Sequence, residues 1–205
     1  MITNWGYTLT DLDTLTDMLT VEEFNTFTGD RYEKNCDQVE KEIGAASAAI
    51  RNYVGWHLYP ETACRMRTHA RDRRITQVGN DILIQLPARV VTEVTAVTVG
   101  DTVCEDYFCE QNGLLRLYNV RLASRSEIIT VDYIAGLSEG MMAPVQELIA
   151  HRVTHAVAVP AGITSEASGG VSVTYNANWI NNSRATALVA DNREVLIPYK
   201  VQGVF

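Results

Sequence analysis

His151 and His155 stand four residues apart in HRVTH, so a helix would carry both on one face. That is half of a zinc site. Arg152, however, follows the first histidine where the metalloprotease pattern needs a glutamate as general base. A catalytic or structural zinc also needs three or four ligands, and no third stands nearby in sequence. A polar edge on an amphipathic helix accounts for the pair without a metal. Cys104 and Cys109 are five apart, wider than a zinc knuckle and with no second pair of ligands, so ordinary thiols are expected. Glu22 and Glu23 sit where a helix start favours acids through its dipole. There is no GxSxG, P-loop or GxGxxG, and Ser168-Gly169-Gly170 lacks the lysine and helix of a phosphate cradle. No nucleophile, base and orienting group suggest themselves as a set. The expectation is a protein with no catalytic residues, no cofactor and no metal. Asn181-Asn182-Ser183 matches a glycosylation sequon, which carries no meaning in a cytoplasmic protein.

The strongest charged feature is residues 65–74, where Arg65, Arg67, Arg71, Arg73 and Arg74 put five arginines in ten residues. Cys64, Met66, Thr68 and Ala70 alternate with Arg65, Arg67, His69 and Arg71, as on a strand with one basic face. Such a face could meet nucleic acid, stay solvated, or pair with acids of a neighbouring subunit. The surrounding charge bears on that choice. The chain has 17 basic and 25 acidic residues, a net charge of −8. Residues 1–50 hold three basic and ten acidic residues, against six and two over 51–74. Bulk acidity argues against coating nucleic acid, an affinity made mostly of cation-to-phosphate contacts. A polarised subunit can instead dock acidic on basic.

The elements that must hold these residues follow from periodicity. The chain has 205 residues, 46% hydrophobic and 20% charged, which is globular composition. No apolar run approaches the ~20 residues of a membrane span. The first residues are acidic where a signal peptide is basic, so a reducing cytoplasm and free thiols are expected. Leu9, Leu12, Leu15 and Leu19 have roughly helical spacing, consistent with an arm or a first helix. Thr20-Val21-Glu22-Glu23 is a capping box opening a short helix that stops at Gly29. Between about 33 and 53, Val39, Ile43, Ala46, Ile50 and Val54 mark a long amphipathic helix, with Asp37, Glu40, Lys41 and Arg51 on other faces.

After Pro60 the period becomes two. Strands are expected over 81–86, 90–99, 106–110, 114–118 and 128–134, with hairpin turns at Gly100-Asp101 and Asn112-Gly113. A helix opened by Pro144 carries Val145, Leu148, Ile149, Val153, Ala156 and Val157, and Pro160 ends it. A small-residue loop (161–170), a strand (171–175), a polar turn holding Trp179, and a helix over 187–197 stopped by Pro198 complete the chain. The order predicts α+β: a helical core of N- and C-terminal helices packed together, a β-rich insertion and an extended C-terminal tail. The expected divisions are 1–60, 61–137 and 138–205.

Four stretches share a signature. They are 20–29 (TVEEFNTFTG), 45–60 (AASAAIRNYVGWHLYP), 86–97 (LPARVVTEVTAV) and 129–137 (ITVDYIAGL) leading to Pro144. In that order and spacing the chain resembles the head–tail connector proteins, or adaptors, of long-tailed bacteriophages and gene transfer agents. It departs from the smaller, almost wholly helical members in its acidic arm and large β block. The resemblance implies a structural virion protein made in the host cytoplasm. It also implies a closed homo-oligomeric ring of about twelve copies in the neck, built by a head-to-tail contact that closes by rotation. Its partners would be the portal and a stopper or tail component, with DNA sliding through unheld. The C-terminal region of that family commonly reaches the portal. Here that maps to Leu196, Pro198, Tyr199, Val201, Val204 and Phe205, apolar groups wasteful in water; a tail folded back on its own subunit is the alternative. The arginines of 65–74 would face a neighbouring subunit or DNA. Two other functions stay open: a nucleic-acid-binding protein acting through 65–74, and a small hydrolase.

Overall fold

A computed structural model of the chain describes residues 6–10, 15–32, 36–158, 165–168, 171–174 and 192–201. The class is α+β. Two compact units share the chain: one is formed by 1–16, 54–141 and 199–205, the other by 17–53 and 142–198.

The first unit is built on strands. One sheet joins β1 (Thr8–Leu9), β2 (Thr62–His69), β9 (Ile128–Ala135), β5 (Val91–Val99) and β6 (Thr102–Val103), in that order. β9 is central and antiparallel to both long neighbours, with Cys64 opposite Tyr133 and Val97 opposite Val131. Alternation along these strands buries Cys64, Met66, Val97, Ile129, Val131 and Tyr133 and leaves Arg65, Arg67 and His69 outside. The second sheet runs β3 (Ile75–Val78), β4 (Asp81–Gln85), β8 (Leu114–Leu117), β7 (Tyr107–Cys109). It buries Ile82, Ile84, Leu115 and Leu117. Both expected hairpins are present: β5 turns into β6 at Gly100-Asp101, and β7 into β8 through Asn112-Gly113.

Helices make the second unit: α1 (Val21–Thr28), α2 (Cys36–Val54), α3 (Ala143–Ala158) and the short α4 (Arg193–Leu196). The α1 capping box forms in full, and Gly29 at φ +62° stops the helix. Gln146 on α3 donates to Glu23 on α1 at 3.2 Å. On α2, Val39, Ile43, Ala46, Ile50 and Val54 are all buried, so the three-and-four spacing marks the core face. A β10–β11 hairpin (Ser165–Ser168, Val171–Thr174) follows α3.

Several expectations change. Thr8–Leu9 is an edge strand paired with Cys64 and Arg65, and residues 15–20 hold no helix, so the leucine spacing there is incidental. β3 was not expected; its sequence, ITQV, is too short and polar to announce itself. Residues 165–168 pair as a strand where a loop was expected. Arg51, on another face of α2 than the apolar stripe, is buried as well. Of the expected final helix over 187–197, residues 187–191 lie outside the described residues, and the remainder holds α4 and a 3-10 turn, Ile197–Tyr199. Leu12, Trp179, Val204 and Phe205 also lie outside the described residues.

Ile50 is fully buried on α2. Ile50→Ala should therefore lower unfolding free energy by about 2–5 kcal/mol, read by chemical denaturation.

Candidate functional site

Gly55 at φ +83° ends α2, and the next three residues, Trp56, His57 and Leu58, are completely buried. The chain leaves the helix through its own core, so every polar group there needs a partner. The Trp56 indole Nε1 donates to the Tyr199 carbonyl at 2.7 Å. The Val54 carbonyl, orphaned at the helix end, accepts from the Val201 amide at 2.9 Å. Residues 199–201 thus form a strap across the helix exit.

His57 is held from three sides. Its Nε2 lies 2.9 Å from the Ala135 carbonyl, which can only accept, so Nε2 carries the proton. In the neutral ring Nδ1 is then an acceptor, and the Tyr7 hydroxyl donates to it at 2.7 Å. The same hydroxyl accepts from the His57 backbone N–H at 2.9 Å. Trp56 and Tyr7 meet the imidazole edge-to-face, at 5.4 and 5.8 Å between centroids. Gly136, one residue beyond Ala135, passes so close to the backbone of Pro60 and Glu61 that a Cβ would strike it. This histidine is sealed from solvent and joins three segments distant in sequence. Its role is structural, and a substrate has no way to it. The adjacent Tyr133 differs: its hydroxyl is buried with no hydrogen-bond partner among the described residues, and burial pushes its phenol well above the usual range.

The arginine segment is reorganised by the fold. β2 ends at His69, so only Arg65 and Arg67 lie on the expected strand face, and Arg71, Arg73 and Arg74 belong to the turn. A cross-strand partner neutralises Arg65: its Nε and Nη2 bind the Asp132 carboxylate at 2.6 and 2.9 Å. Arg74 binds Asp72 through Nε and Nη2 at 3.0 and 2.8 Å, which holds Asp72 well below the usual carboxylate range. Arg67 and Arg71 are exposed and make no ion pair among the described residues. A groove of about 580 Å³ lies on this face, with Arg65 and Arg67 among its lining residues together with Asp101 and Glu127. Its mixed charge does not suit a polyphosphate.

The expected tail splits in two. Leu196 is fully buried, Tyr199 and Val201 are half-buried in the strap, and Pro198 is exposed. His151 and His155 stand exposed on α3 with rings 6.4 Å apart. Partial burial and the neighbouring His151 and Arg152 push the His155 imidazole down. All four cysteines are outside disulfides. Burial raises the Cys64 thiol to about 12 and Cys109 to about 11. The His57 circuit went unseen in the sequence because its partners, Tyr7 and Ala135, lie 50 and 78 residues away.

A protein-family model described as "Head completion protein" matches residues 17–184. No curated protein matches the chain.

Two tyrosines give a contrast. Tyr7→Phe strands two buried partners and should cost about 1–3 kcal/mol or more. Tyr133→Phe removes a hydroxyl with nothing to lose and should be neutral or stabilising, both read from urea midpoints. For Asp72 the sign follows from its depressed folded pKa. Its stabilisation is present above the unfolded carboxylate range and is lost as pH falls through the folded value. Asp72→Asn should lower the melting temperature at neutral pH, and the difference should shrink on acidification below about pH 4.

Proposed function

The chain belongs to the head completion protein family, and from that premise we propose that it is the head–tail adaptor of its phage, a ring subunit that binds the portal through its C-terminal segment. The family is one of structural phage virion proteins, and this chain takes part in building the head. In the adaptor reading the subunits close into a ring beneath the portal once DNA is inside. The opposite side of the ring offers a platform to a stopper or tail component. The acidic bulk of the chain repels the DNA that must slide through it.

The observation that carries this reading is the strap. Residues 199–201 are bonded to the α2 exit through Trp56 and Val54, which gives the segment after them a fixed point of departure. That segment, Gln202-Gly203-Val204-Phe205, carries two apolar side chains, and Pro198 beside the strap is exposed. An anchor rooted in a folded subunit loses less ordering entropy on binding than an unrooted one. Leu196 belongs to the core and stays outside the interface. A strapped tail also separates two jobs by position: 199–201 stabilise the subunit and 202–205 reach the partner.

Removing 202–205 should leave the melting temperature within about 2 °C of the parent, less than 1 kcal/mol for a chain of this size. The same truncation should abolish co-sedimentation with purified portal. Removing 199–205 should lower the melting temperature as well. Unaltered portal affinity after the shorter truncation would place the anchor elsewhere on the subunit.

A further inference from the structure

We infer that the arginine-bearing end of the first sheet docks a second copy of this chain, and that the segment it takes is the acidic start of α2. This deepens the adaptor reading and rests on it only for closure of the contact into a ring.

Folding gathers what the sequence separates. Arg67 is exposed on the outer face of β2, and Arg71 is exposed just past the strand end. Arg125 joins them from the loop before β9, because the Ser126 carbonyl lies 3.2 Å from His69 Nδ1, at the last residue of β2. Arg125 is exposed, and none of these three arginines has an ion pair among the described residues. Arg65 and Arg74 contribute no spare charge, since Asp132 and Asp72 hold them. The groove beside them also carries Asp101 and Glu127, the latter already accepting from the Ala123 amide. A surface with cations and placed acids suits a folded partner with a few carboxylates better than a uniform polyanion.

The chain itself supplies such a partner. Asp37 and Glu40 are exposed on the first turns of α2, three residues apart and so on one face. Gly44 continues that face, and the Asp17 carboxylate covers it, 3.5 Å from where a Cβ would stand. Among the described residues of this face Lys41 is the one cation, against the carboxylates of Asp37, Glu40 and Asp17. Residues 1–50 have a surplus of seven acids, and 51–74 a surplus of four arginines. Two different patches on one chain make a head-to-tail contact, the kind that closes into a ring or grows as a filament. Exposed charge pairs also make it salt-sensitive.

A native thiol reports on this contact. Cys36 is exposed, outside any disulfide, and one residue before Asp37. Full-length Arg71→Cys, treated with a short bismaleimide at low salt, should give dimers and longer ladders several-fold above the parent protein and above Phe108→Cys. Phe108 is an exposed position on the second sheet and serves as control. The ladder should vanish with Cys36→Ser, weaken in high salt and with Arg67→Glu plus Arg125→Glu, and return when that variant also carries Asp37→Arg and Glu40→Arg. Absence of a Cys36-dependent ladder above the control, at the highest soluble concentration, overturns the inference. So does a ladder indifferent to salt and charge reversal. A duplex-DNA affinity that disappears with the same arginine variants, without any Cys36-dependent ladder, would assign the surface to nucleic acid instead. Portal co-sedimentation separates the two readings. A failed ladder with intact portal binding sinks this contact alone, and an intact ladder without portal binding sinks the adaptor reading alone.

Discussion

His57 is held by atoms that the first unit brings together from distant parts of the chain. The Tyr7 hydroxyl takes its backbone N–H and serves its Nδ1, and the Ala135 carbonyl takes its Nε2–H. Any displacement of the N-terminal edge strand, of the α2 exit or of the end of β9 would strand a buried polar group. Each such loss costs about 1–3 kcal/mol, a large share of the stability of an ordinary domain. Burial of Trp56 and Leu58 on either side excludes the water that could otherwise substitute. The circuit therefore sets where the chain leaves its long helix and how the central strand ends. The Gly136 close approach and the strap both depend on that placement.

The strap ties residues 199–201 into the first unit, bonded at the indole of Trp56 and at the last carbonyl of α2. The alternative nucleic-acid function loses its main support in the fold. The five clustered arginines become a strand pair and a turn, two of them are tied to aspartates, and the adjacent groove is mixed in charge.

Much of this was legible in residue order. The α2 core face, the capping box before α1 and both glycine-centred hairpins are governed by neighbours within a few residues. Periodicity and turn chemistry act at that range, so pattern alone suffices. Thr8–Leu9 and Ile75–Val78 were not legible, because two- and four-residue strands have no period to detect and exist only through the strands they join. Leucines at 9, 15 and 19 imitated a helix although sheet pairing and loop burial decide their places.

The sequence by itself determined the longer periodic elements, the acidic and basic halves, and the likeness to phage head–tail proteins. Each depends on composition or on spacing along the chain. Tertiary structure alone decided which charges remain unspent. Arg65 and Arg74 look the same as Arg67 and Arg71 in sequence, yet among the described residues only the first pair finds carboxylates across a strand or a turn. It also decided that the loop carrying Arg125 meets the end of β2, that His57 is sealed, and that residues 199–201 bond to the α2 exit. The physical reason is one of range: hydrogen bonds and ion pairs are made between atoms a few ångströms apart, whatever number of residues separates them along the chain.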